Sequence, residues 1–233
     1  MKTNSEKIRS KKDYRKYFII LPIVFLLCGY ILFFVCLTPI LDPLISVYSL
    51  AFSNTNVNTI DESETNSIFD GNTAVHDGYI NYDEFVFPSW GDIFGKVTVE
   101  GTEIDCPLIF GDDNSLLRRG AGLSFFSHIP GCGKGILVGG HNNTYFHTLP
   151  EAQVGSLVRV ETNYGSFTYR IRETKLIDMN SADARGQYAE DLNGDREVLL
   201  LYTCYPINTM ASTSLRYFVF CEKVSGPQVN LYE

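Results

Sequence analysis

The chain has 233 residues, 45% of them apolar, and carries 19 Lys and Arg against 27 Asp and Glu, for a net charge of −8 at neutral pH. That length suits one domain with appendages and leaves ample material for a core. The acidic balance argues against a nucleic-acid partner, because phosphate binding needs a basic surface.

Residues 1–16, "MKTNSEKIRSKKDYRK", hold seven Lys or Arg against Glu6 and Asp13. The next 25 residues, Tyr17 to Leu41, carry no charge. A helix of that length spans a hydrocarbon layer of about 30 Å with some tilt. It is too long for the apolar region of a cleaved leader, roughly 7–15 residues, and the small-residue stretch Ser49-Leu50-Ala51 lies well beyond it. The expectation is a single membrane-spanning helix over 17–41. The basic flank 1–16 places the N-terminus in the cytoplasm, and the rest of the chain outside the cell membrane. The part beyond residue 16 then has a net charge of −13.

From Ser53 to Glu84 there is no Lys or Arg, and Asn, Ser, Thr and acids dominate. This predicts a stalk or linker over 42–89, with His76 simply solvated. From Trp90 the pattern changes to short apolar runs separated by turn residues. "KVTVEGTEIDCPLIFG" predicts two strands around Glu100-Gly101, and "GILVGG" predicts a short buried strand. "SLVRVETNYGSFTYRIRETKLI" alternates around Asn163-Tyr164-Gly165-Ser166 and predicts a hairpin. "EVLLLYTC" and "LRYFVFCEKV" predict two more strands, while "YFHTLPEA" and "SADARGQYAEDL" are long enough only for one or two helical turns each. Strands at such spacing predict a mainly β barrel or sandwich over 90–224, with a tail over 225–233.

Of the six cysteines, Cys28 and Cys36 fall in the expected span, leaving Cys106, Cys132, Cys204 and Cys221. Four scattered cysteines are not a disulfide framework. No zinc-ligand or calcium-loop spacing occurs, so no metal and no cofactor are expected.

Cys204 closes the run "LLLYTC" before Pro206, where a rigid strand meets a loop. A nucleophilic thiol there needs a proton carrier and a donor to meet an oxyanion. His141, following "GILVGG", sits where a buried strand emerges; the two glycines permit close approach by backbone or substrate. His128 and His147 are weaker candidates. Arg216 opens "LRYFVFC", and period two puts it on one face with Phe218 and Phe220, opposite Tyr217, Val219 and Cys221. Cys221 reads as a packed core thiol.

"LLYTCYP" with a downstream arginine opening an apolar strand resembles the signature of the sortase family. "GILVGGHNNTYFHTL" is similar to the segment around that family's histidine, and "CPLIFGDDNSLLRRGAGLSFFSHIPGCGKG" to the stretch before it. The resemblance covers Asp92 to Val224, in the right order. It implies an eight-stranded barrel and a cysteine transpeptidase acting on surface proteins that bear an LPXTG-like sorting signal. Cys204 would attack the Thr–Gly carbonyl, His141 would protonate the departing amine, and Arg216 would bind backbone carbonyls and the oxyanion. Thr203, Asn142 and Tyr205 would contact substrate. The acceptor would be an amine of a peptidoglycan precursor or cross-bridge in a Gram-positive cell wall. Leu200 replaces the first Thr of the signature, and "TCYPIN" looks most like class D. Class C is disfavoured because Asp42-Pro43-Leu44 lacks the aromatic of a lid motif and no second span precedes Glu233. A hydrolytic cysteine peptidase using the same three residues is the alternative.

Overall fold

A computed structural model describes residues 20–37, 78–81, 86–209 and 211–230. The basic segment 1–16, both ends of the expected span, Asp42-Pro43-Leu44, His76 and most of the expected stalk lie outside these residues.

Ile20–Leu37 forms one helix, α1, of 18 residues with a mean hydropathy of 2.8, long and apolar enough to cross a membrane. Its side chains are exposed almost throughout.

The second unit is built on ten strands among its described residues: β1 (Tyr79–Asn81), β2 (Ile93–Val99), β3 (Asp105–Phe110), β4 (Ala121–Leu123), β5 (Ile136–Gly140), β6 (Leu157–Thr162), β7 (Gly165–Asp178), β8 (Val198–Cys204), β9 (Leu215–Ser225) and β10 (Gln228–Asn230). Eight of them close a barrel in the order β2-β3-β4-β5-β8-β9-β7-β6, the mainly β, eight-stranded architecture expected. Two short helices, α2 (Asn114–Leu117) and α3 (Gly186–Asn193), and a 3-10 turn at Leu149–Glu151 decorate it.

The patterning explains which faces turn inward. In β6, Val158 and Val160 are buried while Arg159 and Glu161 are exposed, the alternation of a strand wet on one side. The β6–β7 hairpin turns on Asn163-Tyr164, with Thr162 paired to Gly165. Strand β8 is apolar without alternation because both its faces are covered. Leu199 and Leu201 join the barrel interior, whereas Val198 and Leu200 pack outward with Ile177, Ala184, Phe218 and Phe220. Helix α3 caps this outer layer through Tyr188, whose ring stacks on Phe218 at 5.2 Å.

Two strands fall in segments read as stalk and tail. β1 pairs in parallel with β10, and Ile80 and Val229 turn their side chains into the core. Three residues each are too few to show a period, so nothing in their pattern announced them.

Candidate active site

The barrel register brings three sequence-distant residues to one level. In the parallel β5–β8 ladder Gly140 lies opposite Thr203, so His141 follows on β5 as Cys204 follows on β8. In the antiparallel β8–β9 ladder Cys204 lies opposite Arg216. Period two then fixes the face. Cys204 shares parity with Val198, Leu200 and Tyr202, and Arg216 with Phe218 and Phe220, all of the outer layer. His141 shares parity with Leu137, a member of the same layer. Cys204 and Arg216 thus share the outer face, and His141 stands one residue beyond the Gly140–Thr203 pair, its ring bonded to the Asn114 backbone of α2.

The local sequence makes this edge tight. A Cβ on Gly139 would lie 2.7 Å from the Tyr202 ring, and one on Gly140 2.4 Å from the ring of Phe146. The glycine pair therefore admits two aromatic rings, one on each side of the strand, in place of the backbone or substrate approach expected. Tyr202 stacks in turn on Phe218 at 5.5 Å. Burial and the Asp112 carboxylate push its phenol up to about 12, so it is a neutral hydroxyl beside Cys204 and Arg216.

Burial of the half-exposed His141 ring lowers its pKa below 6.5; a hydrogen bond to the Asn114 backbone opposes this, and the Arg118 charge reinforces it. The imidazole is consequently neutral at pH 7 and able to take up a proton. Linkage follows the same sign. The unfolded chain protonates first as pH falls below 6.5, so this group costs stability on acidification and nothing at neutral pH.

Arg216 is held by its own strand end. Its Nη1 donates to the carbonyls of Thr213 at 2.7 Å and Leu215 at 3.0 Å. Among the described residues no carboxylate pairs with it, and none accepts from Nε or Nη2. A planar fork with open donors suits a carbonyl or an oxyanion.

Cys204 is half-buried, while the other thiols of this unit are held protonated. Burial drives Cys106 up to about 12; burial and the nearby Glu197 charge drive Cys132 up to about 11; burial raises Cys221 further still. Cys221 is a core thiol, as its parity indicated. The lesser histidines stand apart: His128 is exposed, and His147 lies 3.3 Å from Glu103.

Two of the three expected substrate contacts have other work. Thr203 is fully buried, and its hydroxyl donates to the Gly140 carbonyl at 2.8 Å. Its parity is inward, opposite to that of Cys204. Asn142 is also buried, and its Nδ2 donates to the Pro206 carbonyl at 2.7 Å while its own carbonyl accepts from Asn208 N–H. These residues clamp the strand and loop that carry His141 to those that carry Cys204. Tyr205 remains half-exposed, its ring 6.3 Å from that of Tyr217. Its N–H donates to the Leu215 carbonyl, and its own carbonyl accepts from the Thr213 hydroxyl.

Sequence reading missed α2, whose four residues are too few for a helical period. The available signal was Asp113, which caps α2 by accepting from Ser115 and Leu116 N–H. Through Asn114 and Arg118 this helix tunes the histidine.

The Thr203 clamp is testable. Thr203→Val leaves the buried Gly140 carbonyl without its donor, and a loss of about 1–3 kcal/mol is expected in denaturant unfolding. Thr203→Ser keeps the hydroxyl and should recover most of it. Equal stability of Val and wild type would show that the bond contributes nothing.

A family model described as the Sortase domain matches residues 97–224, more than half of the chain. Sortase D of Bacillus subtilis (strain 168) is 28% identical over 138 residues, covering 59% of this chain and 67% of that protein. A lid mutant of sortase A from Corynebacterium diphtheriae aligns with a TM-score of 0.51 at 17% identity, over 59% of this chain and 73% of that one. Sortase C-1 from Actinomyces oris aligns with a TM-score of 0.50 at 20% identity, over 57% and 74%. At these identities the two solved structures speak for the fold alone.

Proposed function

The chain belongs to the sortase family of cysteine transpeptidases and is most like class D, and from that premise we propose that it cleaves an LPXTG-like sorting signal between Thr and Gly. The observation that carries this reading is the ladder that sets Cys204 opposite Arg216, with His141 one residue beyond the neighbouring Gly140–Thr203 pair.

Neutral His141 takes the proton of the Cys204 thiol, and the thiolate adds to the Thr–Gly carbonyl carbon. The resulting oxyanion meets the Arg216 fork. The Tyr205 N–H, the backbone donor next to the nucleophile, is already given to the Leu215 carbonyl, which leaves the guanidinium as the principal donor. The imidazolium then gives its proton to the departing glycine amine as the C–N bond breaks, leaving a thioacyl enzyme. An incoming amine adds to the thioester, loses a proton to His141 and expels the thiolate. In this reading Asn142 and Thr203 position the two catalytic strands, and Tyr205 and Tyr202 border the bound peptide.

We take the acceptor to be an amine of the cell wall or its precursor, and α1 to be the anchor that keeps the domain outside the membrane with residues 1–16 in the cytoplasm. The expected result with a labelled LPXTG-type peptide is slow hydrolysis alone and ligation once triglycine is supplied. Free acid as the sole product under saturating amine would assign the site to a hydrolytic peptidase instead.

A further inference from the structure

Tyr202 holds the outward position next to the nucleophile, two residues before Cys204 on β8 and so about 7 Å from it along the same face. Its ladder partners are Gly139 on β5 and Phe218 on β9. On one side its ring stacks on Phe218 at 5.5 Å, and Phe218 stacks in turn on Tyr188 of α3. On the other side it covers Gly139, where an added Cβ would lie 2.7 Å from its Cζ and 2.8 Å from its hydroxyl oxygen. Gly139 is paired with Gly122 of β4, and a Cβ there would lie 2.5 Å from the Gly111 carbonyl oxygen. The two glycines thus make room on the outer face for the phenol and for the chain that leads into α2.

A ring wedged in this way presents its hydroxyl at one fixed point. That hydroxyl has no hydrogen-bond partner among the described residues, although the side chain is half-buried. Tyrosine hydroxyls removed from water are paired as a rule, so one left open beside a nucleophile points to a group that arrives with the substrate. Burial keeps the phenol neutral, and it can therefore both donate and accept.

The substituents of the reacting carbon decide which group that is. Its oxygen goes to Arg216, opposite Cys204 on β9. The departing amine goes to His141, which follows Gly140 of β5 and is bonded to the Asn114 backbone. The remaining substituent is the Cα of the residue left on the thiol. Forward of Cys204 the space is taken by the chain itself, where Tyr205 is tied to Leu215 and Pro206 to Asn142. The Cα and its side chain are left the direction back along β8, over Tyr202. In a signal cut between Thr and Gly that side chain carries a hydroxyl.

We propose that the Tyr202 hydroxyl reads the residue whose carbonyl Cys204 attacks, by a hydrogen bond to its side-chain hydroxyl, and so selects threonine over its apolar isostere valine. This rests on the transpeptidase reading of Cys204, His141 and Arg216. Selection follows because valine strips water from the phenol and returns no partner to it.

The test compares two labelled LPXTG-type peptides that differ only in Thr or Val before the scissile bond, using wild type and Tyr202→Phe. Phenylalanine keeps the stack on Phe218 and the cover over Gly139, so the variant differs by one hydroxyl. Wild type is expected to favour the Thr peptide in kcat/KM by about tenfold, and Tyr202→Phe by no more than about twofold, the change that one hydrogen bond of this kind produces. A Thr preference that survives in Tyr202→Phe would assign the reading to another group. An equal fall for both peptides would make the phenol a contact to backbone or oxyanion, and equal use of both peptides by wild type would mean that no hydroxyl is read. Any of these overturns the assignment. Cleavage of neither peptide by wild type would instead remove the transpeptidase reading, and the assignment with it.

Discussion

Cys204→Ala is expected to abolish cleavage of an LPXTG-type peptide, lowering kcat/KM by at least about a thousandfold, to background. The reason is not merely that a thiol is lost. Of the four cysteines in the barrel unit, three are held as neutral thiols by burial, and only Cys204 pairs across its ladder with an arginine, one residue beyond the level of Gly140. Among the described residues no second thiol lies opposite Arg216. Labelling by a thiol-reactive vinyl sulfone should vanish with the same substitution, while unfolding stability changes little because the side chain is small and half-exposed. Labelling that moved to Cys132 with turnover intact would show that the reactive thiol had been misplaced.

Arg216→Lys should lower kcat/KM by about 10²–10³, the cost of removing a donor aimed at an oxyanion. Lysine keeps the charge and loses the fork that lets Nη1 brace on the Thr213 and Leu215 carbonyls while other donors stay open. The rate of Cys204 alkylation by iodoacetamide separates two explanations, because alkylation needs the thiolate but develops no oxyanion. With Arg216 serving the oxyanion, alkylation in the variant should stay within a few fold of wild type. A parallel fall in alkylation and turnover would assign the guanidinium to the thiolate instead.

Much of this site was legible because strands repeat every two residues. "LLLYTC" and "LRYFVFC" each place their reactive residue on a defined face, and the ladder puts Cys204 opposite Arg216. The pairing of β5 with β8 was not legible in spacing, since 63 residues separate Gly140 from Thr203; the family resemblance implied only an eight-stranded barrel, not this pairing. For Thr203 the signal was present and unused. A residue adjacent to the nucleophile on a strand must point to the opposite face, here into the barrel, where a hydroxyl needs a backbone partner. Asn142 offered no such parity, as it follows the end of β5, and its bond to Pro206 depends on a loop 64 residues away. The β1–β10 pair and α2 are too short to leave a period in the sequence.

The central claim is that the acyl group is carried by the thiol at the end of β8. Intact-mass analysis and peptide mapping of the wild-type chain after incubation with an LPXTG-type peptide, without an amine acceptor, test it directly. The expected result is an acyl adduct ending in threonine on the fragment containing Cys204, discharged when triglycine is added. An acyl group mapped to any other residue, or cleavage that proceeds in Cys204→Ala, would contradict it.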